Sequence, residues 1–154
     1  LDRFIFKLDV KFPEKSELLD IVKLTTGKGE ARAQKLFDGN KIKEMRDISL
    51  DVPVADAVAD YAMDVIIRSH PEIDGAPEAV KKYVRYGSSP RGAQAIIKTA
   101  RINALSKGRY NVAYEDIKDV AYDVLRHRIF LNFEAVSDGI RVEDIIEELL
   151  KEEI

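Results

Sequence analysis

Residues 4–12 alternate. Phe4, Phe6, Leu8, Val10 and Phe12 fall on one side of an extended chain, and Ile5, Lys7, Asp9 and Lys11 on the other. Period two sustained over this length predicts a β-strand, which Pro13 ends. No comparable alternation follows it. A lone strand exposes unpaired backbone donors and acceptors, so it needs neighbours. Two arrangements would supply them. The strand could pair with "RIFLNFE" (128–134), a stretch ambiguous between a short strand and an extended segment. Or residues 1–12 could be the last strand of a sheet whose other strands lie outside this sequence.

Beyond Pro13 the periodicity is helical. Glu14 to Leu24 places Leu18, Ile21 and Val22 on one side. The polar, glycine-bearing "TTGKGEARAQKLFDGNK" predicts a loop with some helix around Ala31 to Phe37, and Lys41 to Ile48 another short helix. Val54, Val58, Tyr61, Ala62, Val65 and Ile66 then make a single apolar stripe, with Pro53 in the first turn and Pro71 beyond the end. Pro77 to Tyr86 predicts a shorter helix, with Gly87 suited to a left-handed C-terminal cap. Pro90 to Lys107 predicts a long helix whose stripe is Ala93, Ile96, Ile97, Ala100 and Ala104, followed by Gly108. Glu115 to Arg126 turns Ile117, Val120, Ala121 and Val124 inward. Arg141 to Glu153 does the same with Val142, Ile145, Ile146, Leu149 and Leu150. The fold class is therefore mainly α, with one strand at the start.

Composition narrows the function classes. At 154 residues, one domain or one domain plus a piece of another is expected, and about 70% of the unfolded surface can be buried. The net charge of −3, with acids and bases interspersed, argues against a dedicated nucleic-acid binder. Cysteine is absent, which removes disulfides and thiolate metal sites and fits a cytoplasmic protein. No apolar run approaches the ~20 residues that span a bilayer, so no membrane association is expected. With two histidines, His70 and His127, there is no spaced ligand set for a metal. Gly27-Lys28-Gly29 lacks the first glycine and the hydroxyl of a phosphate loop and reads as a flexible turn.

Two arginines stand out. "YGSSPRGAQ" (86–94) reads as a helix start, with Ser88 or Ser89 as the cap and Pro90 in the first turn. Arg91 projects from the polar side of that turn, opposite the apolar stripe. A cation is mildly unfavourable at a helix N-terminus. It becomes useful if free amides, the helix dipole and the guanidinium converge on a phosphate; solvation is the plainer alternative. Arg3, between Asp2 and Phe4 at the start of the alternating segment, reads as an ordinary strand-end arginine or as a cation held rigidly at a domain edge. Arg126, His127 and Arg128 close a helix, where basic residues complement its C-terminus, and His127 reads as a packing or capping residue.

Taken in order, "LDRF" (1–4), "VPVADAVADYAMDVI" (52–66), "YGSSPRGAQAIIKTAR" (86–101) and "VLRHRI" (124–129) resemble the C-terminal part of a MoxR-type AAA+ ATPase over nearly the whole chain. The resemblance implies an AAA+ helical lid at 51–154, a connecting helical segment at 14–50, and at 1–13 the last strand of an incomplete α/β ATPase core. It implies a parent that binds ATP and Mg²⁺ between core and lid and assembles as a homo-oligomeric ring, a hexamer. Such a parent remodels or matures a client protein in the manner of a chaperone. By its place in "LDRF", Arg3 corresponds to the arginine finger that reaches the neighbouring subunit's nucleotide. By its place in "SPR", Arg91 corresponds to the sensor 2 arginine that touches the γ-phosphate in its own subunit, with Ser89 beside it at the nucleotide. The phosphate loop, the Mg²⁺-binding acid and the sensor 1 residue would lie upstream of Leu1. The chain is thus expected to be a fragment inactive by itself.

The family usually has alanine where Ser88 stands and often where Gly92 stands. Gly92 is expected to loosen the first turn by ~1 kcal/mol relative to alanine. A threonine cap is common where Ala113 stands, and its loss would cost ~1 kcal/mol unless Asn111 substitutes. Two other functions compete: a non-enzymatic helical adaptor that binds a protein through its polar faces, and the lid of a DNA-handling AAA+ protein.

Overall fold

The computed structural model describes residues 1–27 and 33–151. Among these the elements are α1 (Lys15–Thr26), α2 (Gly39–Leu50), α3 (Asp56–Ile67), α4 (Glu78–Tyr83), β1 (Val84–Tyr86), α5 (Pro90–Ser106), α6 (Tyr114–Leu125), β2 (Phe130–Leu131), α7 (Phe133–Ser137) and α8 (Val142–Leu150). The architecture is mainly α, in keeping with the helical periodicity.

The core begins at Val52 and joins the apolar faces of α3, α5, α6 and α8. Val65, Ile96, Ile117, Leu125, Ile146 and Leu149 are shielded completely, each contributing about 1.5–3 kcal/mol of hydrophobic stabilisation. The stripes read for α3, α6 and α8 are the buried faces. On α5 the buried face is wider than the stripe predicts. It takes in Gly92, Ala95 and Thr99 beside Ile96, Ala100 and Ala104, while Ala93 and Ile97 are half-buried. The helix packs against α6 on one side and α3 and α2 on the other, so small residues flank the large ones on both sides. Tyr61 O–H donates to the Leu150 carbonyl at 3.4 Å, tying α3 to α8.

Four expectations need correction, and a fifth segment, residues 4–12, joins no sheet among the described residues. The Lys7 N–H donates to the Asp123 carbonyl at 2.9 Å, and basic side chains hold the other carbonyls, as described below. "RIFLNFE" does not pair with that segment: β2 pairs antiparallel with β1, Val84 opposite Leu131 and Tyr86 opposite Phe130. The helix expected to reach Tyr86 ends at Tyr83, since Val84–Tyr86 exchange helical bonds for this two-stranded ladder. Gly87 consequently follows a strand and has no left-handed backbone, which among the described glycines occurs at Gly108 (φ 72°) and Gly139 (φ 71°). For the helix expected around Ala31 to Phe37, residues 33–38 are not helical, while Ala31 and Arg32 lie outside the described residues. So do Lys28 and Gly29 of the expected turn.

Ala113 gives α6 no side-chain cap; the Asp116 carboxylate accepts the Ala113 N–H at 2.9 Å, and Asn111 takes no part in that contact.

Candidate functional site

The start of α5 is positioned by the end of α3. The Ser69 hydroxyl donates to the Ile66 carbonyl at 2.6 Å and accepts the Ser88 N–H at 2.9 Å. His70 Nε2 lies 3.0 Å from the Ser88 carbonyl. This close seam explains Gly87: a Cβ there would stand 2.7 Å from both the His70 ring and the Ser69 carbonyl oxygen, nearer than a side chain allows. Ser88 is fully buried. The next residue, Ser89, turns outward and caps α5, its hydroxyl oxygen accepting the Arg91 N–H at 3.3 Å. The two cap candidates thus divide the work.

Arg91 is exposed on the first turn, its side chain 58% accessible. It faces a carboxylate. Arg91 Nη1 donates to Asp2 Oδ2 at 3.3 Å, and the Ser89 hydroxyl reaches both Asp2 oxygens at 3.0 Å. Arg128 completes the cluster with Nε 3.3 Å from Asp2 Oδ1. Burial works against the Asp2 charge, but the hydrogen bonds from Ser89 and Arg91 and the Arg128 charge hold its carboxyl below the usual carboxylate range. These groups line a pocket of about 140 Å³ shared by Asp2, Arg3, Arg91, Lys98 and Arg128. Arg3 is exposed there and makes no ion pair among the described residues. Of the three residues singled out from sequence, Arg3 and Arg91 line this cationic pocket at the start of α5, and Ser89 is tied to it through Asp2. A phosphate group suits that chemistry, because the helix dipole and the guanidinium forks favour an oxyanion; the Arg91 and Gly92 amides are already taken up by Ser89.

The basic triplet does more than complement a helix end. His127 Nε2 contacts the Phe4 carbonyl at 2.9 Å. Arg126 Nη1 donates to the Lys7 carbonyl and to Asp123, both at 2.7 Å, and Nε to Glu143 at 2.9 Å. Arg128 donates to the carbonyls of Asp2 at 3.2 Å, Ile5 at 3.1 Å, Phe4 and Val124. "LRHRI" is thus the clamp that lays "LDRF" across the start of α5. Sequence reasoning missed Asp2 and Arg128. A signal for Arg128 existed: it continues the i+4 spacing of the buried Val120 and Val124, a cation on an apolar stripe.

A family model for the AAA lid domain matches residues 76–149. Chaperone MoxR1 of Mycobacterium tuberculosis is 32% identical over 150 residues, 97% of this chain and 40% of that protein. The uncharacterized protein YeaC of Bacillus subtilis is 31% identical over 154 residues, again 97% of this chain and 44% of its own length. A crystal structure from Cytophaga hutchinsonii, of a protein assigned as an ATPase, superposes with a TM-score of 0.91 at 30% identity, covering 99% of this chain and 47% of that one. The chain spans less than half the length of these relatives. Residues 76–149 are an AAA lid domain, and the chain as a whole is the C-terminal part of a MoxR-type AAA+ protein.

Proposed function

We propose that the longer protein binds and hydrolyses Mg·ATP between an α/β core and this lid, and uses the cycle to remodel or mature a client protein complex. In this reading residues 1–13 belong to the core, 14–50 connect, and 51–154 form the lid; the protein works in the cytoplasm as a homo-oligomeric ring, a hexamer. Arg91 is the sensor 2 arginine, which touches the γ-phosphate of its own subunit with Ser89 beside it. Arg3 is the arginine finger that reaches the next subunit's nucleotide. When bound, Mg²⁺ would supply positive charge that neutralises the phosphate; among the described residues no acidic or histidine cluster would hold it, so its ligands would come from the core. This chain's own part is to present guanidinium charge to the transferred phosphoryl group, where an arginine is worth roughly 10³–10⁵ in rate.

The observation that carries this reading is the exposed Arg91, projecting from the capped first turn of α5 into a pocket that it shares with Arg3 and Arg128. ATP turnover in the longer protein tests it. Arg91→Ala should lower turnover by about 10²-fold or more, and unchanged turnover would remove Arg91 from the site. Arg3→Ala rings should likewise fail, yet regain activity when mixed with subunits defective only in the phosphate loop. Absence of rescue would mean that Arg3 does not act across subunits.

A further inference from the structure

Asp2 supplies no charge that a phosphate would welcome, yet it sits at the centre of the cationic pocket. Its carboxylate takes the Ser89 hydroxyl at 3.0 Å and the Arg91 guanidinium at 3.3 Å. These are the two groups that the proposed function assigns to nucleotide. A second observation marks the same spot. Arg128 is 3% exposed, its Nε lies 3.3 Å from Asp2 Oδ1, and that buried N–H has no hydrogen-bond partner among the described residues. A buried donor left without a hydrogen bond is costly, and this one lies beside the Asp2 carboxylate as an ion pair rather than bonded to it.

We propose that Asp2 is an internal counter-anion that occupies Arg91 and Ser89 until a phosphate displaces it. This rests on the phosphate-facing role of Arg91. A carboxylate and a phosphoryl oxygen use the same donors and repel each other at this spacing, so both cannot hold the guanidinium at once.

The test is calorimetric titration of the 154-residue chain with inorganic tripolyphosphate at low salt. Its core closes on itself from Val52 onward, and Asp2 lies outside that core. Asp2→Asn should bind about fivefold tighter than the unsubstituted chain, in the range expected for removing one partly exposed competing charge. Asp2→Glu keeps the charge and should bind as the unsubstituted chain does. Asp9→Asn, which removes an exposed acid of the same segment, controls for net charge and should also change nothing. Arg91→Ala should abolish binding with or without Asp2. No gain in Asp2→Asn, or an equal gain in Asp9→Asn or Asp2→Glu, overturns the counter-anion while leaving Arg91 in place. Undiminished binding by Arg91→Ala overturns the phosphate-facing role, and the Asp2 proposal with it.

Discussion

Ser88 and Gly92 compete for one volume. A Cβ on Gly92 would stand 2.1 Å from the Ser88 hydroxyl oxygen and 3.3 Å from both Arg128 Cδ and Ile66 Cδ1. The expectation that glycine merely loosens the first turn is therefore incomplete, because the buried serine makes glycine necessary. In the family pattern alanine is usual at the first position and frequent at the second, and removing the hydroxyl vacates the space that the added methyl needs. Gly92→Ala should destabilise the chain by about 1–3 kcal/mol through overpacking, despite a helix-propensity gain of ~1 kcal/mol. The Ser88→Ala/Gly92→Ala pair should recover most of that loss. Urea denaturation of the single and double variants reads both values, and a Gly92→Ala variant that is more stable alone would refute the coupling. None of this is visible in local sequence. Arg91 and Ser89 could be found from the capping pattern and Arg3 from its motif, but Asp2 meets Arg91 across 89 positions and Arg128 meets the Asp2 carbonyl across 126. Contacts of that span have no periodicity to betray them.

The elements divide by how much of their shape is decided locally. Helices α3, α5, α6 and α8 carry apolar stripes long enough to be read directly. The three residues of β1 are helix-compatible in isolation, and their strand conformation comes from β2, a partner far along the chain. Helix α7 is five residues long, too short for a period. Its start is marked by Asn132, whose side chain accepts the Ala135 N–H at 3.0 Å and donates to the Lys82 carbonyl at 2.7 Å. The start of α6 depends on Asp116, a fully buried acid. It accepts from Ala113 N–H, from Asn103 Nδ2 at 3.0 Å and from both arms of the Arg109 fork. Burial disfavours its charge, but the bonds from Arg109 and Ala113 prevail and hold the carboxyl below its ordinary value. A carboxyl with a lower pKa folded than unfolded stabilises the protein above its unfolded value of ~3.9. That contribution disappears as the pH falls through the folded pKa. Asp116→Ala should cost about 2–4 kcal/mol at neutral pH, and the deficit should shrink on acidification below about pH 4. A deficit that stays constant down to the acid transition would show that the charge of Asp116 contributes nothing.

At the scale of the whole molecule the chain is uneven. Helices α3, α4, α5, α6 and α8 share one core, whereas α1 buries no side chain and α2 buries only Ser49. Leu18, Leu19, Ile21 and Val22 on α1, and Ile42, Met45 and Ile48 on α2, are exposed. Clustered apolar residues of this kind mark contact surfaces, and the relatives are more than twice as long as the part matched here. Among the described residues no helix is long and apolar enough to cross a membrane. The pocket at α5 lies between the clamped N-terminal segment and the lid, where a change in either alters the grip on an anion. The most direct check on that arrangement is the ratio of affinities for a non-hydrolysable ATP analogue and for ADP, measured in the longer protein with and without Arg91→Ala. If Arg91 meets the γ-phosphate, the substitution weakens the ATP analogue by about tenfold or more and leaves ADP nearly untouched, so the ratio falls. A ratio that is the same in both proteins would contradict the role assigned to Arg91.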